Sequence, residues 1–173
     1  GIANIGELDN VEGVVWLTNP DVSKVADNVK GTAVVVYKDG STDKVEVPIK
    51  VVDKTAPVID KIGNQTVVEG KPIADVIVKT DDPEAEITVD GLPNGVTYDK
   101  DSKKITGSPE LTDWNDDKEK PEEVRVVTVT VKAKDKAGNE SEEIFTITVQ
   151  RDTDGDGTPD IYDNDDDGDG IPD

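Results

Sequence analysis

Cysteine, histidine and methionine are all missing from this chain of 173 residues, and its aromatic residues are two Trp, three Tyr and one Phe. Without cysteine there is neither a disulfide nor a thiol nucleophile, and without histidine the commonest general base is missing. Carboxylates are numerous enough to form a glycosidase-like pair by geometry alone, but no spacing singles one out. We therefore predict that the chain has no catalytic residues and is not an enzyme.

Long apolar runs are missing as well. The chain has no stretch of the roughly 18 apolar residues that indicate a membrane-spanning helix, and no segment has the features of a signal peptide. The absence of an initiator Met indicates a fragment or a processed product, so any export signal or wall anchor would lie outside it. We expect this fragment to make no contact with a membrane.

Positive charge is scarce compared with negative charge. The chain has 19 Lys and Arg against 40 Asp and Glu, which gives a formal net charge of −21 and a pI of about 4.2. Such a field repels nucleic acid and anionic membrane surfaces and attracts cations. The sequence also lacks a basic patch with interleaved aromatic residues, so we exclude nucleic acid as a partner.

Aspartate is concentrated at the end of the sequence. Ten aspartates lie between Asp152 and Asp173, and the pattern that starts at Asp152 starts again 13 residues later, at Asp165. Calcium takes six to eight oxygen ligands, and a short loop can wrap it when positions 1, 3, 5, 7, 9 and 12 converge. Gly157 and Gly170 fall at position 6, where such a loop turns sharply.

The spacing therefore predicts Ca²⁺ as the cofactor. The predicted ligands of the first loop are Asp152, Asp154, Asp156, the backbone carbonyl of Thr158, Asp160 and Asp163, and those of the second loop are Asp165, Asp167, Asp169, the backbone carbonyl of Ile171 and Asp173.

The flanks of these loops differ from those of helix–loop–helix calcium proteins. Position 12 is Asp163 rather than a glutamate, a strand pattern precedes the first loop, and Pro159 and Pro172 disfavour a helix on the other side. The segment 152–173 instead resembles the thrombospondin type 3 repeat in its cysteine-free bacterial form. This resemblance implies loops that wrap calcium with little regular secondary structure. The alternative is a disordered acidic tail or linker.

Upstream of this segment, Val, Thr and Ile alternate with polar residues, and Gly, Asp, Asn and Pro interrupt the runs about every ten residues. This pattern is typical of a β-sandwich. We predict an all-β chain of two tandem immunoglobulin-like β-sandwich units, 1–53 and 56–150, of which the first is reduced. An irregular Asp-rich calcium-binding repeat occupies residues 151–173.

In the first unit, a hairpin is predicted from strands over 32–37 and 44–52 around an Asp-Gly turn. A buried strand over 14–17 places Trp16 in the core. The residues Asn4-Ile-Gly-Glu-Leu8, Gly31-Thr-Ala-Val-Val-Val-Tyr-Lys-Asp-Gly40 and Val45-Glu-Val-Pro-Ile-Lys-Val-Val-Asp53 resemble the Rib repeat of Gram-positive surface proteins. That resemblance implies a reduced immunoglobulin-like fold in a stalk that projects from the cell wall.

In the second unit, the alternation predicts eight strands that form a complete sandwich. They cover residues 58–62, 65–68, 75–79, 86–89, 97–98, 104–106, 124–134 and 143–150. The residues Gly91-Leu-Pro-Asn-Gly-Val-Thr-Tyr-Asp99 and Lys104-Ile-Thr-Gly-Ser-Pro109 resemble a bacterial immunoglobulin-like module related to cadherin-like domains. This resemblance implies that the second unit is a spacer of the kind found in surface adhesins and in exported multidomain enzymes.

Trp114 stands in a long polar loop over residues 111–121. It could stack on a sugar or a partner protein, but we favour the interpretation that it folds back over the end of the sandwich. Acidic residues also crowd residues 81–84 and stand at Asp53 and Asp135. Their spacing matches no complete motif, so an interdomain calcium site is the less favoured hypothesis.

Together these patterns predict a non-catalytic stalk or spacer segment of a bacterial cell-wall surface adhesin, with a calcium-stabilised connector at its end. We expect an extracellular monomer whose partners are calcium ions. Two alternatives remain open. One is an adhesin module that binds a host protein or a glycan, and the other is an accessory region of an exported polysaccharide-processing enzyme.

Overall fold

The computed structural model describes residues 9–117 and 120–172. The chain divides into two compact units, Gly1–Lys54 and Thr55–Asp173. Regular structure in both units is β, and the one helix of the described residues is a three-residue 3₁₀ turn, Asp160–Tyr162. The predicted all-β class is confirmed. In the described part of the chain, no helix is long and apolar enough to cross a membrane.

The first unit contains one antiparallel sheet of three strands in the order β1-β2-β3. The strands are β1 Val11–Thr18, β2 Ala26–Tyr37 and β3 Thr42–Val51. The predicted Asp-Gly turn joins β2 to β3. Gly40 has a φ of 82°, which favours glycine, and the Asp39 carboxylate accepts a hydrogen bond from the Ser41 amide at 2.9 Å.

The prediction that Trp16 is a core residue is wrong, because 42% of it is exposed. Strand β1 is an edge strand of a three-stranded sheet, and between residues 9 and 54 the buried residues are Val11, Gly31 and Ala33. The indole lies over Gly31 instead. A Cβ on Gly31 would come within 2.6 Å of Cζ3 of Trp16 and 2.9 Å of Cδ of Pro20, so the missing side chain provides the space that the indole occupies.

The second unit is a sandwich of two sheets, with strand orders β4-β10-β9-β6 and β5-β8-β7. Its strands are β4 Gln65–Val68, β5 Val76–Ile77, β6 Glu86–Asp90, β7 Val96–Asp99, β8 Lys104–Gly107, β9 Val124–Lys134 and β10 Glu140–Gln150. The first strand, β4, pairs in parallel with the last, β10, whereas the other pairs are antiparallel.

The core of the sandwich follows the predicted alternation. The fully buried side chains of the larger sheet are Val129, Val131, Ala133, Phe145, Ile147 and Val149, and they pack against Val76, Val96 and Ile105 of the smaller sheet. Lys132 and Lys134 alternate with the buried residues of β9 and are exposed. The alternation of apolar and polar residues in the sequence therefore predicted the buried face of β9 and of β10.

The predicted strand over 58–62 is reduced to a single bridge between Ile59 and Thr80. The amides at its two ends bind side chains rather than a neighbouring strand. The Val58 amide donates to the Asp81 carboxylate at 2.7 Å, and the Ile62 amide donates to the Glu143 carboxylate at 3.3 Å. Because side chains satisfy these donors, the ladder does not extend.

Candidate metal centre

The Asp-rich repeat brings its aspartates together in two groups. Asp152, Asp154 and Asp156 form one group, and Asp165, Asp167 and Asp169 form the other. Within each group, one carboxylate oxygen from each residue lies within 4.8 Å of the others. Like charges this close repel one another, and oxygen ligands at this spacing suit a hard divalent cation.

Hydrogen bonds from the backbone to the aspartate side chains shape the first loop. The carboxylates of Asp154 and Asp156 accept hydrogen bonds from the amides two residues further on, at 2.9 Å and 2.6 Å. Gly155 and Gly157 have φ values of 77° and 99°, so the chain curls tightly between the aspartates. Hydrogen bonds from the amide and hydroxyl of Thr158, with a smaller contribution from the charge of Lys71, hold the pKa of Asp156 below its usual value.

The second loop repeats this arrangement. The carboxylates of Asp167 and Asp169 again accept hydrogen bonds from the amides two residues on, at 3.2 Å and 2.8 Å. Asp165 differs between its two oxygens. Its Oδ2 accepts a hydrogen bond from the Gly170 amide at 2.9 Å, whereas its Oδ1 is buried without a hydrogen-bond partner among the described residues. A buried, unsatisfied carboxylate oxygen is costly, and a bound cation would satisfy it.

The two loops contact each other through Gly168. A Cβ on this glycine would lie 2.9 Å from Oδ2 and 3.1 Å from Cβ of Asp154. The absence of a side chain at Gly168 therefore lets the second loop approach the first. The two groups of aspartates are neighbours, so charge in one loop affects the other.

Asp160 is placed differently from the other predicted side-chain ligands of the first loop. It is buried, with 8% of its surface exposed, and its carboxylate accepts hydrogen bonds from the amide and hydroxyl of Thr153 at 2.8 Å and 2.6 Å. The guanidinium of Arg151 lies 3.6 Å from the same carboxylate. In the described residues, Asp160 belongs to neither aspartate group, and its contacts brace the start of the loop.

The remaining predicted ligands border the two groups. Asp163 accepts hydrogen bonds from the amides of Asn164 and Asp165 at 2.7 Å and 3.0 Å, so its carboxylate orders the connection between the loops. Thr158 and Ile171 end the two curled segments, and ligation through their carbonyls stays a prediction. Asp173 lies outside the described residues.

Arg151 fastens the repeat to the sandwich. Its side chain is largely buried, with 16% exposed, and it forms an ion pair with Asp116 at 2.6 Å in addition to the contact with Asp160. Its backbone amide donates to the Glu123 carbonyl at 2.8 Å. The sequence analysis missed this residue, although a signal was available, since Arg125 and Arg151 are the two arginines among 19 basic residues.

Trp114 closes one end of the sandwich, as favoured from the sequence. The indole is half-buried against the core, and its Nε1 donates to the Glu69 carboxylate at 2.9 Å. The guanidinium groups of Arg125 and Arg151 lie 5.0 Å and 5.8 Å from the centre of the ring. These contacts occupy the ring and leave little surface on which a sugar could stack.

The acidic residues around 81–84 and 135 serve local structure. Asp135 accepts hydrogen bonds from the Asn139 amide and side chain at 2.8 Å and 2.7 Å, and Glu84 pairs with Lys136 at 2.9 Å. In the described residues of the second unit, these carboxylates form no group of three that could hold a metal. The hypothesis of a calcium site built on them therefore has no support from this unit.

Comparison with known protein families gives two matches. The model of the Rib domain matches residues 1–53, and the model of the Putative Ig domain matches residues 56–150, more than half of the chain. The chain belongs to the Putative Ig domain family. The Rib match precedes the Ig match along the chain, so both resemblances seen in the sequence are confirmed. The resemblance to the thrombospondin type 3 repeat stays a prediction.

Similar proteins occur in Staphylococcus aureus. A protein of strain MRSA252 described as a serine-rich adhesin for platelets is 30% identical over 129 residues, which cover 72% of this chain and 9% of that protein. The protein of the same description in strain USA300 is 29% identical over 129 residues, which cover 72% of this chain and 5% of the relative. This Ig domain family member thus spans less than a tenth of these relatives.

Solved structures resemble the chain more loosely. Extracellular domains 3–5 of Drosophila OTK match with a TM-score of 0.41 and 11% identity, covering 72% of this chain and 40% of that one. Cadherin domains 1–4 of protocadherin gamma B7 match with a TM-score of 0.37 and 21% identity, covering 85% and 41%.

Proposed function

We propose that this chain is a non-catalytic spacer segment of a bacterial cell-surface adhesin, and that its Asp-rich repeat is a connector stabilised by calcium. The matched Rib and Ig domains and the similarity to staphylococcal adhesins support the surface location. The relatives are many times longer than this chain. In this proposal the two β-units provide distance, and contact with a host protein or glycan is made by other segments of such an adhesin.

One observation carries the calcium proposal. Each loop brings three aspartates within ligand spacing, and in the second loop the Oδ1 atom of Asp165 is buried with no hydrogen-bond partner in the described part of the chain. Asp152, Asp154 and Asp156 would hold one ion, and Asp165, Asp167 and Asp169 the other. Bound calcium would neutralise the negative charge of these carboxylates.

Contacts within the protein explain how loss of this repulsion would order the repeat. Mutual repulsion of the carboxylates opposes a compact repeat, and neutralising them removes this opposition. The contact of Gly168 with Asp154 joins the two loops, and the contacts of Arg151 with Asp116 and Asp160 join the repeat to the sandwich. A repeat ordered in this way becomes a compact extension of the sandwich instead of a flexible linker.

Calorimetric titration of calcium into the full chain tests this proposal. We expect saturable binding of calcium and far weaker binding of magnesium. The larger and more flexible coordination shell of calcium accommodates several carboxylates, whereas magnesium requires a strict octahedral geometry. The double variant Asp154→Asn and Asp167→Asn neutralises one central ligand in each loop, and it should raise the Kd by more than about tenfold through the loss of two ligand charges.

The matched control changes two exposed aspartates of the sandwich, Asp90→Asn and Asp101→Asn, and so removes the same net charge outside the repeat. Its Kd should remain within about twofold of the wild type, since distant exposed charges are screened. Equal weakening by both double variants would show that only the overall charge matters. Lack of binding by the wild type would overturn the proposal.

A further inference from the structure

Lys71 projects from the sandwich toward the first aspartate loop. Its backbone is fixed, because the Glu69 amide donates to the Gln150 carbonyl at 2.8 Å and the Lys71 amide donates to the Val68 carbonyl at 3.1 Å. Gln150 ends β10, two residues before Asp152. The turn that carries Lys71 is therefore attached to the strand that leads into the loop.

The end of the Lys71 side chain lies over Gly157. A Cβ on this glycine would be 3.0 Å from both Cε and Nζ of Lys71. Gly157 stands between Asp156 and Thr158, at the sixth position of the first loop. The missing side chain thus leaves room for a lysine ammonium beside the aspartate group.

The second loop has no such neighbour at its equivalent glycine. Gly170 occupies the sixth position there, and within the described part of the chain no atom beyond this glycine and its chain neighbours lies within 4 Å of the place where its Cβ would be. The two loops repeat each other in sequence and in their turns, but the surroundings of this glycine differ. Of the two glycines, Gly157 is the one with a positive charge beside it.

We propose that Lys71 is a tethered counter-cation that lowers the calcium affinity of the first loop more than that of the second loop. This inference rests on the proposed calcium binding of the repeat. A lysine ammonium is a compact positive charge. It partly neutralises the carboxylates of the first loop before any metal binds, and it repels an incoming divalent cation.

The size of the effect follows from Coulomb's law. Removing one unit charge at roughly 6–8 Å from a divalent ion in a water-like dielectric changes its Kd by about five- to tenfold. Salt screens this interaction over about 10 Å at 0.1 M and about 3 Å at 1 M. A Coulomb origin therefore predicts that the difference shrinks as the salt concentration rises.

The experiment is calcium titration of the full chain at low ionic strength, with wild type, Lys71→Gln and Lys71→Arg. The conservative Arg variant retains the charge. The matched control is Lys100→Gln, because Lys100 is also exposed. It lies in the turn that precedes β8, whereas residues 69–71 lie near Gly107 at the other end of that strand. Each lysine variant is also made in an Asp167→Ala and Asp169→Ala background, which removes two ligands of the second loop and so isolates the first loop.

We expect Lys71→Gln to tighten calcium binding by the first loop about five- to tenfold at low salt. At high salt the gain in affinity should be less than about twofold. Lys71→Arg should match the wild type, and Lys100→Gln should change the Kd by less than about twofold. Unchanged or weaker binding by Lys71→Gln, or an equal gain in Lys100→Gln, would overturn the inference while calcium binding by the wild type still stood. A wild type that binds no calcium would overturn the proposed function and this inference with it.

Discussion

Asp160 stands at the ninth position of the first loop, and Arg151 and Thr153 surround its carboxylate. The spacing that makes this residue a predicted ligand also places it where the chain returns to Arg151, whose carbonyl accepts the Asp160 amide at 2.9 Å. At the scale of single residues, the same carboxylate can either bind a metal ion or accept hydrogen bonds that brace the loop. The partners of each oxygen distinguish the two roles.

The bracing role of Asp160 predicts a local effect in the absence of calcium. Asp160→Ala should speed hydrogen exchange of the Thr153 amide by about ten- to a hundredfold, since the loss of a buried acceptor costs about 1–3 kcal/mol. Hydrogen exchange measured by NMR in a chelator reports this opening directly. Asp156→Ala, which removes an exposed aspartate of the same loop, should leave the Thr153 amide unchanged. Equal acceleration in both variants would refute the bracing role.

Glu122 provides a second prediction at this scale. Hydrogen bonds from the Arg125 guanidinium lower its pKa from 4.5 to about 2, and the two groups lie 2.5 Å apart. Because the folded pKa is depressed, the pair contributes stability above pH 4.5 and loses it as the pH falls toward 2. Arg125→Lys breaks the two-pronged geometry and should raise the pKa of Glu122 toward 4.5.

An NMR titration of the Glu122 side-chain carboxyl checks this prediction. The carboxyl of Glu140 is the internal control, because its pKa is lowered by Lys134 and not by Arg125. Its titration should therefore be the same in both proteins. A Glu122 titration that Arg125→Lys does not move would contradict the assignment of the shift to this ion pair.

At the scale of elements, the three-stranded sheet depends on close packing between Trp16 and Gly31. Gly31→Ala should lower the free energy of unfolding of the first unit by about 1–3 kcal/mol, because a Cβ at 2.6 Å from the indole forces Trp16 to move. Urea unfolding followed by Trp16 fluorescence, in a Trp114→Phe background, measures this change.

Gly13 offers the matched control in the same sheet. It lies in β1, and a Cβ there would have no atom of the described residues within 4 Å. Gly13→Ala should therefore change the free energy of unfolding by less than about 1 kcal/mol, the usual scale of a glycine-to-alanine exchange where the backbone tolerates it. Equal destabilisation by both substitutions would show that the indole does not rest on Gly31.

The strands themselves were largely predictable from the sequence. Buried and exposed residues alternate along β9 and β10, so the period of two indicated the face of Val129, Val131, Phe145 and Ile147. The convergence of the aspartates was also predictable, because loop curvature depends on local turns and nearby glycines. Both patterns are short-range, and short-range patterns are readable from a single sequence.

The features that escaped prediction depend on partners distant in the sequence. The alternation of β1 cannot tell whether a second layer covers Trp16, and 42% of that residue is exposed. Lys71 approaches Gly157 across a gap of 86 residues, the difference between their numbers. Tertiary neighbours decide these roles, and residue spacing does not encode them.

At the scale of the whole molecule, the net charge of −21 makes cations the natural partners of this chain. The negative charge is not spread evenly, since ten of the 40 acidic residues lie in the last 22 positions. Cations should therefore change the repeat far more than the sandwich. We expect any response to salt or calcium to be largest in residues 152–173.

The parallel pairing of β4 with β10 has a consequence under tension. Four residue pairs, from Gln65 with Ile147 to Val68 with Gln150, join the first strand of the sandwich to its last. A force that pulls the two ends of this unit apart draws these parallel strands in opposite directions along their length. The hydrogen bonds between them are then loaded in shear and together, rather than opened one after another. A segment that transmits load along a cell-surface stalk would resist extension until the whole β4–β10 ladder ruptured at once.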